Sequence, residues 1–405
     1  MVNSLIVIFV SMVVAVVAVH WVFPMILKIA KSRNLTDKPD ERKLQKAPVP
    51  VLGGVAVTFG LFVGIQAGLV FSTVMGLPYS LPTFSIMASI LIMLYVGAID
   101  DTIGLSPRTR FIYEIVVVLG LIYGTDACID SMHGVLGIGS FSWWVAVPFT
   151  VFACVGIINA VNMIDGVNGL SSSLCILNNL LFGIVFAKSG MLTVAVVNFT
   201  TAAALLPFLL HNVVGMRSKM FIGDAGTMVM GIIMCYDVIY LLHDGMNVAW
   251  MEYTSQGMSL VAVALAIVAV PVADTLRVMT MRMWRHQSPF EADKTHLHHV
   301  LMEYSMSHAL TTLVEVGISL LIFVSWMVSY LLGASINVQF FVVMGMAMLL
   351  VWGSYAYLVH KRKVKTGLAW RLRKLFACLR QGESEWWKSL QEWVDRVGER
   401  SDDNE

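Results

Sequence analysis

The chain has 405 residues, of which 58% are hydrophobic and only 13% are charged. Ordinary soluble domains carry about 25% charged residues, so this composition excludes a water-soluble enzyme and indicates an integral membrane protein. The net charge of +1 gives no reason to expect a nucleic-acid partner. The five cysteines form no CxxC pair, and therefore neither a disulfide framework nor a thiolate metal site is predicted.

Eleven apolar segments are candidates for membrane-spanning helices, each of which needs about 20 mostly apolar residues. They are residues 4–27, 52–74, 83–99, 109–124, 143–161, 170–187, 191–210, 227–242, 257–277, 311–332 and 338–359. The first segment is too long for a signal-peptide core and lacks a basic leader, so we interpret it as a retained span. The long unbroken apolar runs exclude a β-barrel, whose strands are short and alternating. The predicted fold is all-α and polytopic, with about eleven transmembrane helices.

The basic residues are distributed unevenly between the two sides of this arrangement. With the eleven segments taken as spans, all but one of the 27 Lys and Arg residues lie on the same side, and Lys188 is the exception. Basic residues concentrate in cytoplasmic loops. We therefore predict an N-terminus on the outer, periplasmic side and a cytoplasmic C-terminus.

The domain organisation is predicted to be simple, with a transmembrane domain at 1–360 and a basic cytoplasmic tail at 361–405. Five apolar residues of the tail share one helical face and have basic residues around them: Leu368, Leu372, Leu375, Phe376 and Leu379. This pattern is typical of an amphipathic helix on the inner leaflet. A loosely ordered basic tail is the alternative.

Acids, amides and imidazoles from five separated segments are predicted to meet at the cytoplasmic face. They are Asp100 and Asp101, then Asn159, Asn162, Asp165 and Asn168, then Asp224, then Asp274 and Arg277, and finally Asp293, His296, His298 and His299. Acids at the C-terminal end of a helix are unfavourable against its dipole. The pair Asp100-Asp101 at such an end therefore indicates a cation nearby, although a solvated helix end is the structural alternative.

Two of these segments have both a structural and a functional interpretation. Asp224, between glycines, can be a helix N-cap or can mark a phosphate-binding helix N-terminus. Asp165-Gly166 can be a turn, yet the amide-rich run 159–170 beside an apolar helix is costly unless it binds something polar. Carboxylate oxygens without thiolates suit magnesium or manganese. The residues alone thus predict metal-assisted phosphoryl chemistry at the membrane surface.

Six motifs, in this order, resemble the polyprenyl-phosphate N-acetylhexosamine-1-phosphate transferases of glycosyltransferase family 4. They are DKPDERKLQKAPVPVLGG (37–54), DDTIGLSP (100–107), NAVNMIDGVNGL (159–170), FIGDAGT (221–227), DTLRV (274–278) and SPFEADKTHLHH (288–299). The resemblance implies transfer of an N-acetylhexosamine 1-phosphate, with GlcNAc-1-phosphate as the expected group, from a UDP-sugar to undecaprenyl phosphate, with release of UMP. It also implies a bacterial inner membrane and a product that starts a cell-envelope glycan, such as lipopolysaccharide O-antigen, common antigen, teichoic acid or capsule.

The resemblance further implies roles for individual residues. The catalytic set would be Asp100, Asp101 and Asp165, with Asp100 keeping the lipid phosphate deprotonated. Asp101 and Asp224 would hold Mg²⁺, or alternatively Mn²⁺. The nucleotide sugar would be bound by Lys46, Asn162, Asp165, Asn168, Phe221, Arg282, His296, His298 and His299. Direct attack and a two-step route through an enzyme intermediate are both left open, as is a homodimer.

Two further expectations concern the nucleotide sugar. Asn168 stands where the family often has an acid that faces uracil, and its amide oxygen can still accept a hydrogen bond. The loop 278–310 is predicted to fold over the site and to present Arg282 and protonated imidazoles to the diphosphate. Because histidine changes charge near neutral pH, UDP-sugar handling should then weaken as the pH rises.

Two alternative functions are left open. Within the enzyme class, the alternative is a phospho-muramoyl-pentapeptide transferase. From another class, a secondary transporter would also have many helices and intramembrane acids, but transporter sites lie near the bilayer midplane. In this sequence most acids fall at helix ends, and only Glu114, Asp237 and Glu315 are spread elsewhere.

Overall fold

A computed structural model of the chain describes residues 2–37, 48–77, 82–244, 257–288, 295–304, 306–361, 371, 374 and 385–398. Each predicted apolar segment coincides with a helix or with consecutive helices. The helices are α1 (Val2–Ser32), α2 (Gly53–Val74), α3 (Pro82–Ile103), α4 (Pro107–Thr125), α5 (Trp143–Met163), α6 (Leu170–Lys188), α7 (Leu192–Val213), α8 (Gly223–Leu242), α9 (Leu260–Ile267), α10 (Ala269–Trp284), α11 (Leu297–Glu303), α12 (His308–Leu331), α13 (Ile336–Ala347), α14 (Ser354–Lys361) and α15 (Glu385–Gly398). A π-helical stretch, Met348–Gly353, joins α13 to α14.

Within the described ranges, nine helical segments are long and apolar enough to cross a membrane, or ten if the bent pair α9–α10 forms one span. The chain is therefore a polytopic and predominantly helical membrane protein. The predicted count of eleven also included α4, whose first two turns carry Arg108, Arg110 and Glu114. These charges set α4 apart from the other long helices. The exact count and the sidedness of the termini stay predictions.

The ninth predicted span, residues 257–277, is not a single straight helix. α9 ends at Ile267, α10 begins at Ala269, and the two helices are bent by 78° relative to each other. Pro271 lies in the first turn of α10 and has no N–H to bond to the carbonyl of Ile267. The helical hydrogen-bond ladder is therefore interrupted at the break, and α10 carries Asp274 and Arg277 in a different direction from α9.

The centre of the bundle is α8, in which residues 225–242 are all buried. α8 packs against α2, α3 and α5. A Cβ added to Gly97 of α3 would overlap the backbone of Ala225, and one added to Gly54 of α2 would overlap Gly226. Small residues let helix backbones approach closely in membrane proteins. This approach brings the end of α3 and the start of α2 to the N-terminus of α8.

A short antiparallel sheet lies beside this helix N-terminus. β1 (Thr36–Asp37) pairs with β2 (Val49–Pro50). The N–H of Phe221 donates to the carbonyl of Pro50 at 2.8 Å, and the N–H of Gly53 donates to the carbonyl of Phe221 at 2.9 Å. The segment 214–222 between α7 and α8, which we call the α7–α8 loop, is therefore tied to the end of β2.

In the C-terminal tail, the described residues only partly cover the segment that was predicted to be helical. Of the residues expected to form an amphipathic helix, 368–379, only Arg371 and Lys374 are among the described residues, and both are helical. A helix that was not expected, α15, packs against α1 and α7. The tail thus contributes a packed element to the transmembrane domain.

Candidate active site

A cavity of about 480 Å³ lies among the helix ends on one side of the bundle. Its lining includes eight residues that the sequence had singled out as site residues: Asp100, Asp101, Asn162, Asp165, Asn168, Phe221, Asp224 and His299. They come from the end of α3, the end of α5, the α5–α6 turn, the approach to α8 and α11. The structure therefore brings these eight residues from separated segments to one cavity.

Asp101 caps the N-terminus of α8, whose first turn contains Asp224. Its Oδ1 accepts the N–H of Asp224 at 2.8 Å, and its Oδ2 accepts the N–H of Ala225 at 3.0 Å. These are two of the amide groups that a helix leaves without internal partners, and negative charge is favoured at this end. Gly223 has a φ of 69°, and an added Cβ there would collide with the Asp101 carboxylate. Glycine is therefore required for this approach, which fixes Asp101 beside Asp224.

Asp224 is held from its other side by α5. Its Oδ1 accepts a hydrogen bond from the Asn162 side-chain amide, which also donates to the Thr227 hydroxyl at 2.8 Å. The Asp224 side chain nevertheless remains 33% exposed. Its carboxylate is thus oriented by a neutral donor while staying accessible from the cavity.

Arg110 of α4 connects two of the acids. Its Nη1 lies 3.6 Å from Oδ2 of Asp100 and 3.8 Å from Oδ1 of Asp224. Its Nε donates to Glu114 at 3.1 Å, and this fully buried carboxylate also accepts from Asn159 at 2.6 Å. The sequence analysis missed this arginine. The sequence did contain a signal for it: Arg110 and Glu114 are four residues apart in an apolar helix, a spacing at which two side chains can form an ion pair.

Asp100 is oriented by its own chain. Its Oδ1 accepts the N–H of Leu105 at 2.7 Å, across the turn that follows α3. With Arg110 near Oδ2, the carboxylate is held at the cavity wall. Of the two adjacent aspartates, Asp101 therefore faces the N-terminus of α8 and Asp100 faces Arg110.

Asp165 lies in the turn between α5 and α6. It accepts a hydrogen bond from the Ser171 hydroxyl. The surrounding protein desolvates the carboxylate, although it is accessible from the cavity, and this desolvation raises its pKa to about 6. The Ser171 hydrogen bond lowers the pKa, and the negative charge of Asp224 raises it further. Asp165 therefore changes charge close to neutral pH.

The rest of this turn is held by α7 and α12. The N–H of Asn168 donates to Nδ1 of His308 at 3.2 Å, and its carbonyl accepts from the Thr312 hydroxyl at 3.1 Å. The N–H of Gly169 donates to Oδ1 of Asn212 at 2.7 Å. The Asn212 amide then donates to the carbonyl of Met220 at 2.8 Å. Asn212 thus links the turn that carries Asp165 to the α7–α8 loop.

The histidines are arranged differently from the prediction. Nδ1 of His296 lies 2.8 Å from Oδ2 of Asp274, whose Oδ1 accepts from Arg277 at 2.7 Å. The His296 and His298 rings are stacked at 5.5 Å, and the His298 and His299 rings lie 4.4 Å apart. Among the described residues that line the cavity, His299 is the one member of this cluster. Asp274 thus anchors His296 behind the cavity wall.

His298 supports the α5–α6 turn from behind. It is 1% exposed, and a Cβ added to Gly166 would lie 2.5 Å from its Nε2. Burial, together with the neighbouring His299 and His296, holds the pKa of His298 well below its usual value. His298 is therefore neutral at neutral pH. The expectation that it acts as a protonated donor to the diphosphate is wrong.

Arg282 and His296 also require correction. Both side chains are buried, at 3% and 4% exposure, and neither belongs to the cavity lining. The predicted direct contact of Arg282, His296 and His298 with the substrate is therefore not supported by their placement, because each is enclosed by protein. Lys46 and Asp293 lie outside the described residues.

The lining also contains residues that the sequence analysis did not single out. They include Thr36, Asp37, Asn212, Lys219 and His308. Burial lowers the pKa of Lys219, which marks it as a partly desolvated amine at the cavity. A lysine in a short loop resembles any solvated surface lysine in sequence, so only the packing of the α7–α8 loop reveals it.

The donor set fits a divalent cation. Among the described lining residues, five are aspartates and one is a lysine, which leaves an excess of negative charge. No three His, Cys, Asp or Glu side chains of the described residues form a closed metal-binding group. Magnesium usually binds through one or two carboxylates together with water and substrate phosphates. Asp101 and Asp224 meet that requirement, because each carboxylate oxygen keeps a further lone pair beyond the hydrogen bonds above.

Comparison with known proteins identifies related chains. The sequence profile of glycosyl transferase family 4 matches residues 83–242. The chain is 30% identical over 289 residues to the undecaprenyl-phosphate alpha-N-acetylglucosaminyl 1-phosphate transferase of Salmonella typhi, covering 68% of this chain and 71% of that protein. It is 29% identical over 286 residues to the protein of the same name from Escherichia coli (strain K12), with the same coverage of 68% and 71%. A probable undecaprenyl-phosphate N-acetylglucosaminyl 1-phosphate transferase of Bacillus subtilis (strain 168) is 28% identical over 306 residues, covering 75% of this chain and 80% of that protein.

Proposed function

The chain belongs to glycosyl transferase family 4, and we propose that it transfers N-acetylglucosamine 1-phosphate from UDP-GlcNAc to undecaprenyl phosphate. The observation that carries this proposal is the group of Asp100, Asp101, Asp165 and Asp224 around one cavity at the helix ends. In this proposal the lipid phosphate would reach the cavity from the bilayer, and the nucleotide sugar would reach it from water. The names of the relatives support undecaprenyl phosphate as the acceptor and N-acetylglucosamine 1-phosphate as the transferred group.

We place this site on the cytoplasmic face of a bacterial inner membrane. α1 ends on the cavity side, and its last turns carry Lys28 and Lys31. Arg110 and Lys219 lie on the same side. Basic residues mark cytoplasmic loops, and this distribution supports the assignment. The lipid-linked product would then start a cell-envelope glycan.

Asp101 and Asp224 are the residues that would hold Mg²⁺, with Mn²⁺ as the alternative. When bound, the ion supplies charge neutralisation for the diphosphate and for the departing UMP. The hydrogen bonds from the N-terminus of α8 to Asp101, and from Asn162 to Asp224, orient the two carboxylates before the ion arrives. Preorganised ligands of this kind avoid reorganisation during the reaction.

We propose direct transfer between the two substrates. An oxygen of the lipid phosphate attacks the β-phosphorus of UDP-GlcNAc, and the bond from that phosphorus to the oxygen bridging the α-phosphate breaks. The bridging oxygen leaves with its electron pair on UMP, while the sugar keeps its own phosphate. Asp100 keeps the lipid phosphate deprotonated. Arg110, between Asp100 and Asp224, stabilises the negative charge that gathers around the β-phosphate.

The nucleotide sugar would lie against the α7–α8 loop and the α5–α6 turn. Lys219 and His299, which line the cavity, would contact the diphosphate, and Phe221 would stack on uracil. Asn168 would accept a hydrogen bond from the uracil imide, with Asp165 beside it. Lys46, outside the described residues, remains an expected phosphate contact.

The two alternatives have less support. The relatives above are named as N-acetylglucosaminyl 1-phosphate transferases, which favours that donor over a muramoyl-pentapeptide donor. A transporter would need its acids in the middle of the membrane. Here Glu114 is engaged with Arg110 at the cavity side of α4, and the buried Asp237 accepts from Asn198. Each of these two acids therefore has at least one hydrogen-bond partner within the protein.

The test is a transfer assay with the purified protein in detergent. Radiolabelled UDP-GlcNAc, magnesium and undecaprenyl phosphate should give label in the lipid phase and an equal amount of UMP. Without the lipid acceptor, direct transfer predicts no exchange of labelled UMP into UDP-GlcNAc. Absence of lipid-linked label with every UDP-N-acetylhexosamine supplied would overturn the proposed function.

A further inference from the structure

The α7–α8 loop carries Lys219 and Phe221 to the cavity and is fastened at several points. On its inner side, Asn212 donates to the carbonyl of Met220 at 2.8 Å. At its end, Phe221 is paired with Pro50 of β2 at 2.8 Å. These contacts hold residues 220 and 221, but they do not hold the first half of the loop. That half, residues 214–218, meets another part of the chain.

The first half of the loop wraps around a carboxylate from the C-terminal tail. Oδ1 of Asp395, in α15, accepts the N–H groups of Met216 at 3.0 Å, Arg217 at 3.1 Å and Ser218 at 2.9 Å. The Ser218 hydroxyl donates to the same oxygen at 2.8 Å. Successive backbone N–H groups that converge in this way form an anion-binding nest. The tail therefore supplies the anion for a nest next to the active site.

The charge state of Asp395 suits this role. The residue is 4% exposed. Burial opposes its ionisation, but the hydrogen bonds from Ser218, Arg217 and Met216 outweigh that effect and hold the pKa of Asp395 below its ordinary value. Asp395 is therefore a buried carboxylate that is ionised at neutral pH. Hydrogen bonds to a charged acceptor are shorter and stronger than those to a neutral one.

The end of α15 also fits closely against its neighbours. Val394 and Val397 are buried. A Cβ added to Gly398 would overlap Cβ of Ser218 and would lie 3.2 Å from the His211 ring. His211 in turn stacks on Phe23 of α1 at 4.2 Å between ring centroids. The contact is thus built from both polar and apolar groups, and it spans α1, α7 and the loop.

We propose that α15 is a positioning element of the nucleotide-sugar site, with Asp395 as the positioning residue that holds Met216, Arg217 and Ser218 in place. Ser218 immediately precedes Lys219. The backbone conformation that Asp395 holds at residues 216–218 therefore sets the direction of the Lys219 side chain. Phe221 follows two residues later. The proposal rests on the assignment of these two residues to UDP-GlcNAc in the proposed function. It gives the C-terminal tail a role in donor binding although 177 residues separate Asp395 from Ser218.

The test compares three variants of the full chain. Asp395→Asn keeps the side-chain shape but removes the negative charge, and with its oxygen at the Oδ1 position its NH2 group stands at the Oδ2 position, against the N–H of Arg217. Gly398→Ala keeps the charge and pushes the helix end away from Ser218. Glu392→Gln, an exposed residue of the same helix, is the matched control. Kinetics with each substrate, amide hydrogen exchange of residues 216–218 and thermal melting in detergent are measured for all three.

The proposal predicts a specific kinetic pattern. Asp395→Asn and Gly398→Ala should raise KM for UDP-GlcNAc about tenfold, as expected when a group that contacts the substrate is misplaced. They should leave kcat within about twofold, because a contact made equally in the ground state and the transition state changes KM without changing kcat. KM for undecaprenyl phosphate should not change. Amides 216–218 should exchange faster in both variants, and Glu392→Gln should match the natural protein.

Each other outcome has a defined meaning. An unchanged KM for UDP-GlcNAc with faster exchange at 216–218 would overturn the proposal, because the loop would then move without consequence. Loss of folded protein in both variants would also overturn it, since α15 would then serve global stability. If the unmodified protein had no transfer activity, the proposed function would be refuted. That measurement does not involve the variants, so it is separate from the test of α15.

Discussion

The Asp101 carboxylate at the end of α3 accepts both the N–H of Asp224 and the N–H of Ala225 at the start of α8. One candidate metal ligand therefore caps the helix that presents the other. The two aspartates are adjacent in space but differ in what they do for the fold. Asp101 stabilises a helix N-terminus, whereas Asp224 is oriented by a side-chain amide and remains accessible from the cavity.

The first prediction follows from this difference. Asp101→Asn and Asp224→Asn should both abolish turnover, but only Asp101→Asn should lower stability, by about 1 kcal/mol as for loss of a helix cap. An asparagine at 101 can accept only one of the two N–H groups and places its amide against the other. Thermal melting in detergent and rate against magnesium concentration are the measurements. Near-normal turnover in either variant at limiting magnesium would show that these carboxylates are not the ligands.

The second prediction concerns Arg110, which lies between Asp100 and Asp224. Arg110→Gln should reduce kcat about a hundredfold, comparable to removing one group that stabilises transition-state charge. Glu114→Gln should give a smaller loss, because the arginine would keep its charge but lose the partner that orients it. Arg108→Gln, on the exposed side of the same helix, is the control and should retain activity. Equal activities for all three variants would contradict a role of Arg110 in the reaction.

The third prediction is a pH dependence from Asp165. Its pKa is raised to about 6, so its carboxylate is protonated below that pH and ionised above it. If the ionised form binds the donor, KM for UDP-GlcNAc should rise as the pH falls through about 6. The Ser171 hydroxyl favours the ionised form, and Ser171→Ala should therefore move this change to higher pH. Ser173→Ala is the control, and identical pH profiles for both serine variants would argue against Asp165.

The fourth prediction tests uracil recognition by Asn168. The natural protein should use UDP-GlcNAc at least about tenfold better than CDP-GlcNAc, the scale expected when a buried hydrogen bond is lost. Asn168→Asp should be tolerated, because a carboxylate oxygen can accept from the imide in the same way. Asn168→Leu should weaken use of the UDP-sugar. Competition kinetics with the two nucleotide sugars measure the ratio, and equal use of both would refute the contact.

Much of the fold follows from local properties of the sequence. Apolar runs of about 20 residues specify helices because the bilayer leaves no other partner for the backbone. With α4 counted as a span, as the sequence predicts, consecutive spans alternate in direction and bring the ends of α3 and α5 and the start of α8 to one side. The order of apolar segments along the chain is therefore enough to predict that Asp101, Asp165 and Asp224 lie together.

Other features depend on tertiary contacts that no local pattern reveals. The bend after Ile267 interrupts an apolar run that looks continuous in sequence. His298 was predicted to be an exposed donor but is buried against Gly166. A run of three neighbouring histidines does not reveal which way each side chain faces, so the sequence could not predict this burial. The contact of Asp395 with the α7–α8 loop joins residues far apart in the chain. In all three cases the packing of a second element decides the outcome.

The central claim is that the sugar travels together with its own phosphate. It is tested most directly with UDP-GlcNAc that carries radioactive phosphorus at the β-phosphate and tritium in the sugar. Sugar 1-phosphate transfer predicts that both labels enter the undecaprenyl lipid in equal molar amounts, with release of unlabelled UMP. Tritium in the lipid without the β-phosphorus, together with release of labelled UDP, would contradict the account.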